Sequence, residues 1–276
     1  MAEATLTIDL SYLRIVAAEI MYGGEGDYSV LKSHEQQRVD RTLQSGLREF
    51  YGKWNWSFLR PIQTLTLNAP YVTGTVTVAA GVVTLAGGTW PTWAAAGVLL
   101  VNGIDYTVNT RDSGTQLTLD DLSVTASAGT TFELHQDDYD LPDDFDYMIG
   151  SKFTFANPDN ASWDINLVSE QRIRQLRQYD YVGPSSTADP VLAAVRQKNF
   201  DQTLGQRYEI MFWPRVSATA TITYRMHVRP SMLTSTNKYP YGASQHSETI
   251  VAAVEAAAEL ATDEIAGVKA QKFMRL

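Results

Sequence analysis

Six aspartates crowd the ten positions from Asp137 to Asp146: Asp137, Asp138, Asp140, Asp143, Asp144 and Asp146. Carboxylates at this density can bind a hard cation. They can also supply an acid pair for glycoside hydrolysis, with Asp143 and Asp146 as the candidates. The local pattern supports neither strongly. Calcium loops set their acids around a glycine at the tight turn, whereas Pro142 stands in the middle here and no glycine is present. The plainer alternative is a solvated acidic loop.

Other chemistry is sparse. The four histidines, His34, His135, His227 and His246, are far apart and form no paired ligand spacing. His34-Glu35 is followed by Gln-Gln-Arg, so the zincin pattern fails. There is no GxSxG nucleophile elbow and no Walker loop. Gly23-Gly24-Glu25-Gly26 lacks the spacing and the preceding strand of a phosphate loop and reads as a helix connector. Trp90-Pro91-Thr92-Trp93 could stack a sugar, or close the end of a small β-domain. No catalytic residues, cofactor or metal are therefore expected, and the protein is not expected to be an enzyme.

Composition narrows the class. The chain has 276 residues with 44% apolar and 19% charged residues, as a folded protein would. It has no cysteine, which excludes disulfides and thiolate metal sites. No stretch of about 18 apolar residues exists, so no membrane span is expected, and the N-terminus lacks a secretory pattern. A net charge of −9 disfavours a protein that grips nucleic acid, but not one that lets DNA slide past.

The elements that would position these residues are of two kinds. Leu10 to Met21 has helical spacing, carried by Leu10, Leu13, Ile15, Val16, Ala17 and Ile20. A second helix begins at Ser33, with a possible capping box to Gln36; Val39, Leu43, Leu47 and Phe50 form its apolar face. Trp54, Trp56 and Phe58 alternate, which predicts an extended segment. From Ala69 to His135 the chain holds thirteen Thr, eight Gly, one Arg and no Lys. Short strands alternate there with turn signals, of which Asn102-Gly103 is the sharpest. Asp144 to Phe153 and Trp163 to Tyr179 look helical. Tyr208 to Phe212 and Ala220 to Val228 alternate and read as a hairpin about Trp213-Pro214. Ser247 to about Val268 is an Ala-rich helix whose small face lets another helix approach closely. The expected fold class is α+β: a helical core, residues 1–68 plus 136–276, with a separate β-hairpin region. An antiparallel β-barrel or sandwich, residues 69–135, is inserted into it.

Three segments carry a resemblance. They are REFYGKWNWSFLR, where the helix runs into an aromatic segment, the β-rich run followed by YDLPDDFD, and YEIMFWPRVSATATITYRMHVRP followed by Tyr239-Pro240 and the Ala-rich helix. Together they resemble the head-to-tail connector proteins of tailed bacteriophages, the adaptor or neck family, and span most of the chain. The resemblance implies a structural virion protein of the neck between capsid and tail, assembled in the host cytoplasm. Its copies would form a ring, usually twelvefold, docked on the portal protein and facing tail or stopper proteins, with DNA passing through the channel unread. The alternatives are a stopper or tail-completion protein, or a glycan-binding module built on the β-block. A ring needs heterologous subunit interfaces. The candidates are Val39 and Leu43 on the second helix and Ile250, Val251, Val254 and Leu260 on the last. The tip Lys272, Phe273, Met274, Arg275 and Leu276 is the candidate portal-docking arm, the plain alternative being a frayed end.

Overall fold

The computed structural model describes residues 6–23, 27–156, 164–180, 187–242, 244–263 and 267–276. Most of the Gly23–Gly26 connector and Trp163 lie outside them. In chain order the elements are α1 (Leu10–Tyr22), α2 (Ser33–Lys53), β1 (Ile62–Leu67), β2 (Thr75–Ala79), β3 (Val82–Ala86), β4 (Val98–Val101), β5 (Ile104–Arg111), β6 (Gln116–Leu119), β7 (Ala126–Thr130), β8 (Phe132–His135), β9 (Asp138–Asp140), β10 (Phe145–Phe155), β11 (Ile165–Leu167), α3 (Glu170–Asp180), β12 (Thr187–Ala188), β13 (Leu192–Gln197), β14 (Tyr208–Trp213), β15 (Arg215–Val216), β16 (Ala220–Val228), α4 (Ser247–Asp263) and α5 (Val268–Arg275). They divide into two compact units, Met1–Pro61 with Val228–Leu276, and Ile62–His227.

The first unit gathers α1, α2, α4 and α5. Asp9 caps α1 by accepting the Tyr12 N–H at 3.1 Å. At α2 the Glu35 carboxylate accepts the Lys32 backbone N–H at 2.8 Å, so Glu35 rather than Gln36 completes the cap. The apolar faces of the helices meet in one cluster containing Leu13, Leu43, Phe50, Ile250, Val254 and Phe273. Close approach of α2 to α4 depends on Gly46. A Cβ there would lie 2.8 Å from the Val254 Cα and 2.9 Å from the Ala253 carbonyl oxygen. Outside this cluster, Arg14 clamps Asp40 through bonds of 2.8 and 3.0 Å, and the Tyr28 hydroxyl donates to the same carboxylate at 2.8 Å.

The second unit is built from two seven-stranded sheets, ordered β1-β16-β10-β11-β13-β14-β9 and β7-β2-β3-β6-β5-β4-β8. In the first sheet β11 and β13 run parallel, and α3 lies between them in the chain, as a parallel crossover requires. The second sheet is curled: its edge strands β7 and β8 are consecutive in the chain, separated only by Thr131. Its inner face is a closed apolar cluster that includes Val83, Trp90, Leu99, Leu117 and Leu134. Asn102 and Gly103 turn β4 into β5 with φ of 53° and 77°, the two-residue hairpin that Asn-Gly favours. The turn from β2 to β3 is of the same kind, with Ala80 at φ 49° and Gly81 at 74°.

This architecture overturns the expected helical core. The protein is mostly β, with two curled seven-stranded sheets, and residues 136–228 contribute chiefly strands. Residues 145–155 are strand β10, not a helix: Phe145, Tyr147, Ile149, Phe153 and Phe155 recur at period two, which suits a strand. The stretch that looked helical up to Tyr179 is split between β11 and the shorter α3. The expected hairpin is also corrected. Strand β14 pairs with β13 and β9, whereas β16 pairs with β1 and stands next to β10. Trp54, Trp56 and Phe58 do not share one face of a strand. Trp54 is exposed, while Trp56 and Phe58 stack near Phe50 and His246 around a 3-10 turn.

Candidate functional site

The acidic run becomes an ion-pair ladder rather than a cation site. Strand β9 presents Asp138 and Asp140, which reach across β14 to Arg196 of β13 and to Lys198 just beyond it, and α3 adds Arg177. Asp138 pairs with Arg177 and Arg196 at 2.8 Å each, and Asp140 with Lys198 at 2.6 Å. Asp137, 8% exposed, takes Arg215 at 2.8 Å. Asp146 lies 3.2 Å from His227, whose ring stacks on Tyr147. Among the described residues no group of three or more acidic or imidazole side chains could hold a metal. Arginines far away in sequence supply this compensation, and no local spacing announces them.

Arg215 is the centre of the ladder. Besides Asp137 it holds Asp105 of β5 through two parallel bonds of 3.1 and 2.8 Å. Burial disfavours its charge, but Asp137 and Asp105 outweigh that and hold the guanidinium charged. His135, 2% exposed, lies close by. Burial, and then the Arg215 charge, push its pKa below the ordinary value against the pull of Asp137, Glu133 and Asp105. The 3.1 Å approach of Glu133 is therefore to a neutral ring at neutral pH.

The suspected sugar platform is not a surface. Trp90 is 1% exposed and packs edge-on against Phe132, with ring centroids 5.1 Å apart, and against Tyr71. Trp93 is packed beside the same cluster. An open cleft of about 670 Å³ does exist elsewhere, between α3 and β13. Arg174, Arg196, Lys198 and Arg207 line it together with Glu170, Asp201 and Glu209, so it carries both signs of charge.

The candidate interface residues fall into two groups. Val39, Leu43, Ile250 and Val254 have no exposed surface and are buried inside their own chain's helical unit. Val251 packs against that cluster. Leu260 is 52% exposed and borders a groove of about 420 Å³ between α2 and α4. The rest of that groove is Arg38, Arg41, Thr42, Ser45, Glu49, Ala257 and Ala261.

The chain's tip is a helix. Glu259 of α4 accepts the backbone N–H groups of Gly267, Lys269 and Ala270 at 3.0–3.1 Å, which caps α5 from outside. Phe273 is buried, with the Lys53 ammonium 3.8 Å from its ring centroid, and Lys53 also donates to its carbonyl at 3.2 Å. Lys272 reaches Glu255 at 3.5 Å. Met274 and Leu276 stay exposed at 66% and 59%, with Arg275 exposed between them. The signal that separates them is helical spacing: Phe273 shares the face of Lys269 and Ala270, which points to α4.

Compared with known proteins, the chain matches no family model, and no curated protein is significantly similar to it.

Proposed function

We propose that this protein is a structural component of a tailed-phage virion, an adaptor whose copies close into a ring between the portal and the tail. The observation that carries it, beside the sequence resemblance, is where apolar surface is left uncovered. Among the described residues, twelve of the nineteen exposed large hydrophobic ones lie in the first unit, which holds fewer than half of the chain. A unit that leaves this many large apolar side chains in water is one that other chains are suited to cover. The exposed side of α5, with Met274, Arg275 and Leu276, is the part assigned to the portal. The ladder around Arg215 leaves its acids paired with arginine or lysine, which favours a structural role for the second unit over hydrolysis. The net charge of −9 fits a channel component past which DNA moves without sticking. No helix among the described residues is long and apolar enough to cross a membrane.

The test is to mix the purified protein with the portal protein of the same virus and measure the mass of the complex. A ring of adaptor copies on the portal, twelve by the resemblance, is the expected result. Binding to another neck ring but not to the portal would make it a stopper. Failure to bind either, together with glycan binding, would sink the virion assignment.

A further inference from the structure

We infer that neighbouring copies join head to tail by seating the outer face of α1 in the groove between α2 and α4. This rests on the ring assignment above. The outer face of α1 is a stripe of Tyr12, Ile15 and Glu19, opposite the buried Leu10, Leu13 and Ala17. Tyr12 and Ile15 are 48% and 42% exposed, which is much for large apolar side chains on a helix in water. The groove offers Ala257, Ala261 and Leu260 as an apolar floor. Arg38 and Arg41 stand at one end and Glu49 at the other.

Charge and length fix the direction. If Glu19 meets Arg38 and Arg41, the Tyr12 hydroxyl reaches Glu49, so α1 lies antiparallel to α2. Seven residues separate Tyr12 from Glu19 and eight separate Arg41 from Glu49, about 10–12 Å in each case at 1.5 Å per residue. In that register Ile15 falls opposite Ser45.

The two faces cannot meet within one protomer. Helix α1 contacts the side of α2 that carries Asp40, through Arg14. At roughly 100° per residue, Arg38, Ser45 and Glu49 point about 140–180° away from Asp40. A donor face and an acceptor groove on different sides of one unit make a heterologous contact, the kind that closes into a ring.

The chain has no cysteine, so an engineered pair provides the only thiols. The test is oxidation of the full-length double variant Ile15→Cys/Ser45→Cys, at high concentration and on the portal. The expected product is a ladder of covalent oligomers. Mixing the two single variants should give dimers only, and neither single variant alone should link. Arg41→Glu should cut the ladder about tenfold, because it sets two acids face to face, and adding Glu19→Arg should restore it. Single variants that link as well as the double, or no ladder under either condition, would overturn the interface. A ring on the portal without a ladder overturns the interface alone. A ladder without portal binding keeps the interface and removes the adaptor assignment.

Discussion

Arg215 and Asp105 face each other through two parallel hydrogen bonds of 3.1 and 2.8 Å, although 110 residues separate them in the chain. With Asp137 on its other side, Arg215 fastens the curled sheet of β5 to the segment between β8 and β9. Its side chain is 16% exposed, and Asp105 and Asp137 are 17% and 8% exposed. Removing one member of such a group leaves uncompensated buried charge. Arg215→Ala should therefore cost about 3–5 kcal/mol, read as a lower urea midpoint. Arg215→Lys should recover only part of this, because an ammonium cannot make the two-pronged contact. A substitution to Ala that left the midpoint unchanged would show that the pair holds nothing together.

His135 should make the fold acid-sensitive. Its pKa is lowered in the folded protein, burial first and Arg215 second. A group held neutral by the fold binds fewer protons than it does unfolded. The unfolded chain takes up that proton as pH falls below about 6.5, so stability drops from there towards the folded pKa. Urea unfolding at a series of pH values should show the drop in the native chain and a flatter profile in His135→Gln. Equal profiles would mean that the imidazole is not protected.

The helices of the first unit were legible because α1, α2 and α4 each carry an apolar face of helical period, and the Ala-rich face of α4 did announce a close neighbour. Asn102-Gly103 was legible because few residue pairs accept two positive φ angles in succession. Partner choice was not legible. The alternation of β14 and of β16 says that each is a strand, but a period of two carries no record of which strand lies alongside. The false hairpin follows from this. The helical reading of β10 has a different cause: its alternation of Phe145, Tyr147, Ile149, Phe153 and Phe155 is broken by Ser151 and flanked by Met148, so the period of two is weak. The acidic run was seen, but its meaning depended on Arg177, Arg196 and Arg215, brought there by topology. The docked α5 was hidden for a similar reason: eight residues make a marginal helix in isolation, and Glu259 of another helix completes it.

Gly46 should tolerate no side chain. A Cβ would press on the α4 backbone at Val254 and Ala253, at 2.8 and 2.9 Å, and backbone cannot swing aside as a flexible side chain can. Overpacking of this kind costs about 1–3 kcal/mol. The gain of helix propensity from Gly to Ala is about 1 kcal/mol in the other direction. Gly46→Ala should thus lower the thermal midpoint, and Gly46→Val should lower it further. A stabilised Gly46→Ala protein would mean that α2 and α4 can separate freely.

The tip of the chain separates folding from attachment, because adjacent residues of α5 serve different ends. Phe273 is 2% exposed and Met274 66%. Phe273→Ala empties a buried site and should cost about 3–5 kcal/mol in unfolding. Met274→Ser with Leu276→Ser alters only surface and should stay within about 0.5 kcal/mol of the native chain. Deleting the whole tip would mix the two effects, since loss of Phe273 loosens the unit that presents the rest. If α5 is the portal-docking surface, the double serine variant keeps its unfolding midpoint and loses sedimentation with the portal. Unchanged co-sedimentation would place the portal contact elsewhere on the protein, whatever Phe273→Ala does.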